Sequence, residues 1–360
     1  MPRKALIVGV GGVVGLAAAE HIAGLDGWRC VGVSRSACAL PAGVEHLRAD
    51  ILDSADCERV FRAHPDITHI VFAAVFEKPS IVSGWTDDEQ ISTNLRMLTT
   101  LLDAAAALAP ALQHVTLLQG TKAYGVHLGP IRVPARETDP RTLTSNFYYE
   151  QEDWLRAKAA EKGWRWSVLR PQSVIGYARG NPMNMLMAIG VYAAVARELA
   201  IPFCFSGTPG CLQEVTDADL LAKAIVWAGT TEACDGEIFN ITNGDAFVWS
   251  DLWPHLAEVL GVACGQPRSF SLEAAMRDKG PVWDRVVARH GLQPLGFAEA
   301  VGNWGFADFV FRYRQPQQAS IMSTVKARRF GFGECVDTQE MFASWLKRLQ
   351  AMRILPPAHG

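Results

Sequence analysis

The sequence predicts an α/β protein built on a doubly wound parallel sheet, followed by a smaller, mainly helical region. Short runs rich in Val, Ile and Leu alternate with helical segments over the first 176 residues, which is typical of a parallel sheet covered by helices on both faces. A glycine-rich turn follows the first of these runs, and the alternation becomes irregular after residue 176. We therefore predict a sheet domain over 1–176, to which the chain returns at about 212–242, and a helical cap over 177–211 and 243–360.

Six strands are predicted in the sheet domain, each a short run of apolar residues: 4–10, 28–34, 45–49, 68–74, 114–119 and 164–170. Helices are predicted between most of them, the longest at 88–108. In the remainder, an apolar helix at about 184–199 and a strand at 237–244 that ends in an Asn-Gly turn are the clearest elements. No repeat or low-complexity segment interrupts this order.

The composition excludes several classes of partner. With 49% hydrophobic and 20% charged residues and a net charge of −3, the chain has no basic surface field for nucleic acid or an anionic membrane. The most apolar stretch, 185–205, contains Arg197 and Glu198, which favours a buried helix over a membrane span. Eight scattered cysteines without zinc-site spacing are predicted to be reduced thiols of a cytoplasmic protein, and no metal site is expected.

The glycine-rich turn GVGGVVG predicts a dinucleotide-binding loop. Gly9, Gly12 and Gly15 give the GxxGxxG spacing found in short-chain dehydrogenases, and Gly11 lets the loop approach a pyrophosphate closely. The helix that begins near Val13 offers its amino-terminal amides and positive dipole end to phosphate. Such a turn can also be purely structural, but its place at the start of a βαβ pattern favours a nucleotide.

The end of the second strand predicts which nucleotide is bound. A site for NAD usually has an acid there for the ribose 2′-hydroxyl, whereas Arg35 and Ser36 follow this strand. Arginine suits a 2′-phosphate through forked, charge-assisted hydrogen bonds, so NADPH/NADP+ is the predicted cofactor. The alternative is that Arg35 is a solvated loop residue. Asp50 and Ile51 are placed to meet the adenine, and Ala74 to border the pyrophosphate, although it is also compatible with a core position.

The tyrosine segment NFYYEQED predicts catalysis but lacks its usual partner. In short-chain dehydrogenases, a lysine four residues after the tyrosine lowers the phenol pKa from about 10. Here Glu152 and Asp153 follow Tyr148 and Tyr149 at that spacing. The fifth strand ends in LLQGTKAYG, and a side chain at the carboxyl end of a parallel strand faces the ligand crevice. A lone lysine there would otherwise be a surface residue, but the missing helix lysine favours relocation of the cation to Lys122.

Several segments, in their order and spacing, resemble the progesterone 5β-reductase/iridoid synthase (PRISE) family of atypical extended short-chain dehydrogenases: GVSRS, RADILD, THIVFAA, LQGTKAYG and NFYYEQED. The likeness continues through MNMLMAIGVYAA, TDADLLAKAIVWA and NWGFADFVF, and so covers nearly the whole chain. The family implies a Rossmann-like extended fold with a substrate-binding cap, and an enzyme that reduces activated C=C bonds with NADPH.

The resemblance also implies site residues. Its catalytic pair falls on Lys122 and Tyr149, with Tyr148 as a neighbour in the substrate pocket. Hydride passes to the β-carbon of an enone or enal, Tyr149 donates to the developing enolate with electrostatic support from Lys122, and a solvent proton completes the α-carbon. A pocket aromatic falls on Phe306, which in isolation would be assigned to the core. The cofactor contacts fall on Tyr149 and on Leu118, Gln119, Val174, Asn181, Pro182 and Met183.

The chain departs from the family pattern at two places. Arg35 and Ser36 stand where the family usually has two arginines. Ala74 and Val75 replace a Thr-Trp pair after the fourth strand, so one pocket wall differs and the substrate size of the family is not transferred. Asn94 matches a helix asparagine of extended dehydrogenases; the alternative is that it bends or caps its helix.

The sequence thus predicts a cytoplasmic, NADPH-dependent enone reductase that acts on a small molecule, and the family resemblance implies a homodimer. A sugar-nucleotide epimerase or dehydratase on the same fold is disfavoured, because those enzymes use the Tyr-to-Lys spacing that is missing here. An NADP-binding redox regulator would need the glycine turn but no tyrosine in the crevice, so the presence of Lys122 and Tyr149 argues against it.

Overall fold

The computed structural model describes residues 2–78 and 84–358, and the chain divides into two compact units. The sheet unit comprises Met1–Gln172, Ala218–Thr242 and Met322–Glu334. The helical unit comprises Ser173–Asp217, Asn243–Ile321 and Cys335–Gly360. These units are defined by packing alone. The predicted division into a nucleotide-binding domain and a substrate cap, which assigned 322–334 to the cap, therefore stays a prediction.

The sheet unit is built on seven strands. They are β1 (Arg3–Val8), β2 (Trp28–Ser34), β3 (Val44–Arg48), β4 (His69–Phe72), β5 (His114–Leu118), β6 (Arg165–Pro171) and β10 (Glu237–Ile241). All neighbours pair in parallel, in the order β10-β6-β5-β4-β1-β2-β3. The order reverses between β1 and β4, which is the position where doubly wound sheets bind ligands. The predicted fold class is confirmed.

Helices cover both faces of this sheet. They are α1 (Val13–Ala23), α2 (Ser54–Ala63), α3 (Asp88–Leu108), α4 (Phe147–Lys162), α6 (Ala218–Thr230) and α12 (Val325–Arg329), with 3₁₀ turns at Thr121–Tyr124 and Glu232–Cys234. Side chains of α2, α3 and α4 share one apolar core with Ile70 and Phe72 of β4. His69 points to the opposite face because side chains alternate along a strand, and its Nε2 lies 3.2 Å from the Gly229 carbonyl oxygen of α6.

The sequence explains how the helices next to the crevice begin. The Asp87 carboxylate accepts hydrogen bonds from the first amides of α3, and the Asn146 side chain does the same for α4. Gly12 precedes α1 and has no side chain with which to cap it. The amides at the start of α1 therefore remain without a side-chain acceptor, unlike those of α3 and α4.

The helical unit contains α5 (Met185–Glu198), α7 (Trp249–Leu260), α8 (Leu272–Met276), α9 (Gly280–His290), α10 (Phe297–Ala300), α11 (Trp304–Val310) and α13 (Thr338–Ala351). Two short strand pairs join them: β7 (Val174–Ile175) with β9 (Thr216–Asp217), and β8 (Leu212–Gln213) with β11 (Phe247–Val248). Its core is aromatic, since the Phe203 ring stacks on Trp253 at 4.4 Å and Phe311 contacts both Trp249 and Trp253. Across the described residues, no helix is both long and apolar enough to span a membrane.

Candidate active site

The glycine turn between β1 and α1 is packed too closely for side chains at two positions. Gly9 has a φ of +84°, and a Cβ on it would lie 2.8 Å from the Ala74 backbone. A Cβ on Gly15 would lie 2.2 Å from the Gly9 carbonyl oxygen, so neither position accepts another residue. By contrast, a Cβ on Gly11 would meet no atom nearer than the Cys38 side chain at 3.6 Å. This open space, together with the uncapped amides of α1, suits the pyrophosphate of a dinucleotide.

Two arginines lie at the carboxyl ends of β2 and β3. Arg35 and Ser36 are exposed just after β2. Arg48, whose register partner on β2 is Ser34, donates its Nε to the Arg35 carbonyl at 2.9 Å. The sequence prediction did not include Arg48, although its position at the end of the strand beside β2 was an available signal. This edge of the sheet therefore offers a second cation in place of the family arginine that Ser36 replaces.

Asp50 and Ile51 lie in the turn after β3. The Asp50 carboxylate accepts from the Leu52 amide at 3.0 Å, and the Asp50 amide donates to Asp56 at 2.8 Å. Ile51 is buried in the apolar core of the sheet unit. These are bonds of a local turn, so the adenine contact of Asp50 and Ile51 remains a prediction.

Tyr149, the predicted catalytic residue, is held by main-chain groups. Its hydroxyl donates to the Ala123 carbonyl at 2.8 Å and accepts from the Thr142 amide at 3.1 Å, while the Arg141 guanidinium lies over its ring. A phenol with these partners links α4 to the neighbouring segments and is not free to bond a substrate oxygen. The geometry therefore does not support Tyr149 as the proton donor.

Tyr148, predicted as the neighbour of the catalytic tyrosine, is the tyrosine whose hydroxyl has, in the described part of the chain, no main-chain partner of the kind that holds Tyr149. Its ring centroid lies 5.3 Å from the Lys122 ammonium, and a Cβ on Gly120 would lie 3.6 Å from its hydroxyl. Gly120 stands where extended dehydrogenases carry a serine, so the hydroxyl points toward the place of the usual Ser-Tyr pair. Within the described residues, the hydrogen bonds of Tyr148 involve only its main chain. Burial and the charge of Glu77 raise the pKa of the Tyr148 phenol.

Lys122 is buried among aromatic rings and is not the surface lysine of the alternative prediction. Its ammonium lies 4.6 Å from the Trp85 ring centroid and 5.2 Å from that of Phe147, with Tyr148 as the third ring. Glu77 pairs with it at 3.0 Å, and both side chains are almost fully buried. Burial lowers the pKa of Lys122, and the charge of Glu77 opposes that change. The structure thus places the Lys122 ammonium against the Tyr148 ring, and its role as the relocated cation remains a prediction.

Glu77 was not predicted from the sequence, and the segment that carries it, residues 73–78, is held by side-chain hydrogen bonds. Its carboxylate accepts from the Trp85 indole at 3.0 Å and from the Gln90 amide group at 2.6 Å. One helical turn after Gln90, the Asn94 side chain bonds both the amide and the carbonyl of Phe76, at 2.8 and 2.9 Å. Asn94 therefore anchors the loop that presents Glu77. In the sequence, only the position of an acidic residue in the loop after β4 could have indicated that Glu77 pairs with Lys122.

Glu152 occupies the helix position that lysine takes in ordinary short-chain dehydrogenases. Its carboxylate bonds three arginines, at 3.0, 3.1 and 3.2 Å from Arg170, Arg141 and Arg156. Arg170 is itself buried, and its Nε donates to the Gln119 side chain at 2.9 Å, which in turn donates to the Tyr148 carbonyl at 2.9 Å. The acid thus anchors α4 to β6 and holds the main chain of Tyr148. Each end of the Gln119 amide makes one of these bonds, and its contact with a cofactor remains a prediction.

The remaining residues predicted to contact the cofactor or the substrate are one residue of the sheet unit and five residues of the helical unit. Leu118 is the last residue of β5 and is partly buried. In the helical unit, Val174 begins β7, and Asn181 accepts from the Met183 amide at 2.9 Å in a turn that includes Pro182. Phe306 lies in the first turn of α11 and is partly buried. Their contacts with a cofactor or substrate remain predictions.

The sequence of this chain matches a known family over most of its length. Residues 50–356 match the model of the PRISE-like Rossmann-fold domain. The chain belongs to this family. One relative, the (S)-8-oxocitronellyl enol synthase ISY1 of Nepeta cataria, is 34% identical over 98% of this chain and 93% of its own. The (S)-8-oxocitronellyl enol synthase of Antirrhinum majus is 32% identical over 98% of this chain and 92% of its own length. The short chain dehydrogenase gsfE of Penicillium aethiopicum is 30% identical over 99% and 100%.

Solved structures share the fold of this PRISE-like chain. The UDP-glucose 4-epimerase of Thermotoga maritima has a TM-score of 0.70 at 18% identity and covers 97% of this chain and 99% of its own. That of Bifidobacterium longum has a TM-score of 0.69 at 17% identity, over 97% and 98%. Likeness at this level of identity concerns the fold alone. The family match confirms the resemblance seen in LQGTKAYG and NFYYEQED, and the chain is an oxidoreductase of the extended short-chain dehydrogenase type.

Proposed function

We propose that this protein is an NADPH-dependent reductase of activated C=C bonds in small α,β-unsaturated ketones or aldehydes. The observation that carries the proposal is Tyr148, whose hydroxyl would lie 3.6 Å from a Cβ on Gly120 and whose ring centroid lies 5.3 Å from the buried Lys122 ammonium. The (S)-8-oxocitronellyl enol synthases, 34% and 32% identical over nearly the whole chain, support an enal or enone as the substrate class. We expect a homodimer, as the family resemblance implies, and a cytoplasmic protein, as the scattered cysteines without zinc-site spacing indicate.

A dinucleotide would be held by the glycine turn and the arginines beside it. The open backbone at Gly11 and Gly12 and the first amides of α1, from Val13 onward, would take the pyrophosphate. Arg35 and Arg48 would pair with a 2′-phosphate, which supports NADPH over NADH. When bound, this cofactor supplies the hydride.

Tyr148 and Lys122 account for the rest of the reaction. Hydride addition to the β-carbon of the substrate leaves negative charge on its carbonyl oxygen, as an enolate. The Tyr148 hydroxyl donates to that oxygen, and the Lys122 ammonium strengthens the phenol as a donor. The aromatic rings around Lys122 keep water away, so its charge acts at low dielectric. A proton from solvent then adds to the α-carbon and completes the saturated product.

Enone reduction is tested by NADPH consumption over a panel of 2-cyclohexen-1-one, 8-oxogeranial and a steroid enone, with the product identified by mass spectrometry. We expect consumption that depends on the enone and a product in which the C=C bond is saturated and the carbonyl is retained. Cyclohexanone is the matched control and should not be reduced. An inactive protein that still binds NADPH would favour a cofactor-binding regulator, and a product reduced at the carbonyl would favour an ordinary dehydrogenase.

Arg35→Ala tests the cofactor assignment. We expect the KM for NADPH to rise at least about tenfold, because a charge-assisted hydrogen bond is worth about 1.5–3 kcal/mol. The KM for NADH, which has no 2′-phosphate, should stay within about twofold. Arg62→Ala is a matched control, since Arg62 is an exposed arginine of α2 that pairs with Glu58. An equal rise for the two cofactors would count against a 2′-phosphate at this edge.

A further inference from the structure

The ammonium of Lys122 lies in a closed group of side chains, here called the lysine enclosure, formed by Glu77, Trp85, Phe147 and Tyr148. The three ring centroids lie 4.6, 5.2 and 5.3 Å from Nζ, and Glu77 Oε1 lies 3.0 Å from it. The side chain of Lys122 is 11% exposed and that of Glu77 5%. Glu77 is therefore the group of the enclosure that carries a full negative charge next to the ammonium.

A buried ammonium needs such a partner. Burial of an unpaired charge costs far more than the attraction of aromatic faces returns, so the unpaired group loses its proton instead. Burial lowers the pKa of Lys122, and the carboxylate of Glu77 is the group that opposes it. Loss of the proton would remove the positive charge that lies against the Tyr148 ring.

In the part of the chain that the structure describes, the other titratable groups near the enclosure, His127 and Tyr148, do not supply negative charge. The His127 ring lies 5.7 Å from that of Trp85, and burial together with the charge of Lys122 lowers the pKa of His127 to about 4, so it is neutral at pH 7. Burial raises the pKa of Tyr148, so its phenol is also neutral there. Glu77 alone among these three groups faces Lys122 as an anion.

The orientation of Glu77 is fixed by one member of the enclosure, Trp85, and by Gln90 outside it. Its second oxygen, Oε2, accepts from the Trp85 indole and the Gln90 amide group, which leaves Oε1 for Lys122. Gln90 also accepts from the Lys78 amide at 3.0 Å through its own side-chain oxygen. A carboxylate with these fixed partners stays in place when the ammonium moves, and so sets where the ammonium rests.

We propose that Glu77 is a positioning residue of the reductase: it is the counter-ion that keeps Lys122 protonated and held against Tyr148. This inference rests on the proposed function, because it concerns the cation of that same reaction. Glu77 contacts neither substrate nor cofactor in this role and acts through Lys122. Its removal should therefore change the pH dependence of the reaction and leave cofactor binding unchanged.

Glu77→Gln tests this in the full-length protein, because glutamine retains the size of the side chain and removes its charge. Without the carboxylate, the pKa of Lys122 falls, so the loss of activity at high pH should begin about one pH unit lower or more. At neutral pH, kcat should fall at least about tenfold, with the NADPH dissociation constant within about threefold of wild type. Glu89→Gln is the matched control, since Glu89 is an exposed acid of α3 that pairs with Lys78, and it should leave the profile unchanged.

A second measurement is independent of activity. In protein labelled at lysine 13Cε, the resonance of Lys122, assigned by its absence in Lys122→Met, gives the pKa of this lysine directly. We expect the titration midpoint to be lower in Glu77→Gln than in wild type. If the midpoint shifts but no enone is reduced by the wild type, the proposed function fails and the role of Glu77 as counter-ion stands. If enones are reduced and neither the midpoint nor the pH profile shifts, the inference is wrong.

Instability of the variant is addressed by a double substitution. If Glu77→Gln alone unfolds, the variant that combines it with Lys122→Met lacks both charges of the pair. Recovery of the wild-type melting temperature to within a few degrees supports the counter-ion role, because the buried ammonium is then gone. No recovery contradicts it.

Discussion

Tyr148→Phe is expected to lose about 100-fold or more in kcat/KM for enone reduction, whereas Tyr149→Phe keeps this constant within about threefold. The reason is the difference between the two hydroxyls. That of Tyr148 lies beside Gly120, with Lys122 against its ring, while that of Tyr149 bonds main-chain groups of Ala123 and Thr142. Steady-state kinetics with NADPH and the enone found active in the panel provide the measurement.

Thermal unfolding gives the complementary readout for the same pair of variants. Tyr149→Phe should lower the free energy of unfolding by about 1–3 kcal/mol, because it leaves the buried Ala123 carbonyl without its donor. Tyr148→Phe should unfold like wild type and bind NADPH with an unchanged dissociation constant. The reverse pattern, with Tyr149→Phe inactive and Tyr148→Phe active, would restore the assignment made from the sequence.

Glu152→Ala is expected to lower the free energy of unfolding by about 3–5 kcal/mol, because the buried Arg170 is left with an unpaired charge. The neighbouring Asp153→Ala is a close control. Asp153 also pairs with Arg141, at 2.7 Å, but its side chain is 61% exposed, so its loss should cost less than about 1 kcal/mol. Urea denaturation of both variants measures the difference. Equal destabilisation would mean that the buried pair between Glu152 and Arg170 is not what anchors α4.

The sheet could be predicted from the sequence because its strands are short apolar runs with helices between them. The predicted run 45–49 is β3 at Val44–Arg48, and the predicted 237–244 is β10 at Glu237–Ile241. Strand β10 ends before the predicted residue 244 because Asn243 leaves the sheet. The Asn243 side chain accepts from the Asp217 amide at 2.6 Å and donates to the Thr338 hydroxyl. Periodicity predicts that a strand exists, whereas its last residue depends on side-chain bonds to residues far away in the chain.

Which of the two tyrosines lies against Lys122 could not be predicted in this way. Adjacent residues of a helix point about 100° apart, so the tyrosine that faces Lys122 is determined by how α4 is rotated about its axis. That rotation is set by long-range contacts, such as the bond of Gln151 to the Asn94 carbonyl at 2.8 Å and that of Glu152 to Arg170. The partner of Lys122 was hidden for the same reason, since Glu77 lies in a loop after another strand. The glycine turn, by contrast, carries its constraint locally and could be predicted.

The side chain of Asn146 bonds the start of α4 and the Lys122 carbonyl, and it has a consequence for how this site tolerates change. In ordinary short-chain dehydrogenases one helix carries both tyrosine and lysine, so its own stiffness keeps their separation constant. Here Lys122 lies in the 3₁₀ turn after β5 and Tyr148 lies in α4. Side-chain hydrogen bonds of Asn146 and Tyr149 to the main chain of this turn join the two elements. The stretch between them, residues 128–134, is largely exposed and takes no part in these bonds. Insertions and deletions there can therefore be accommodated during evolution without moving Lys122 relative to Tyr148.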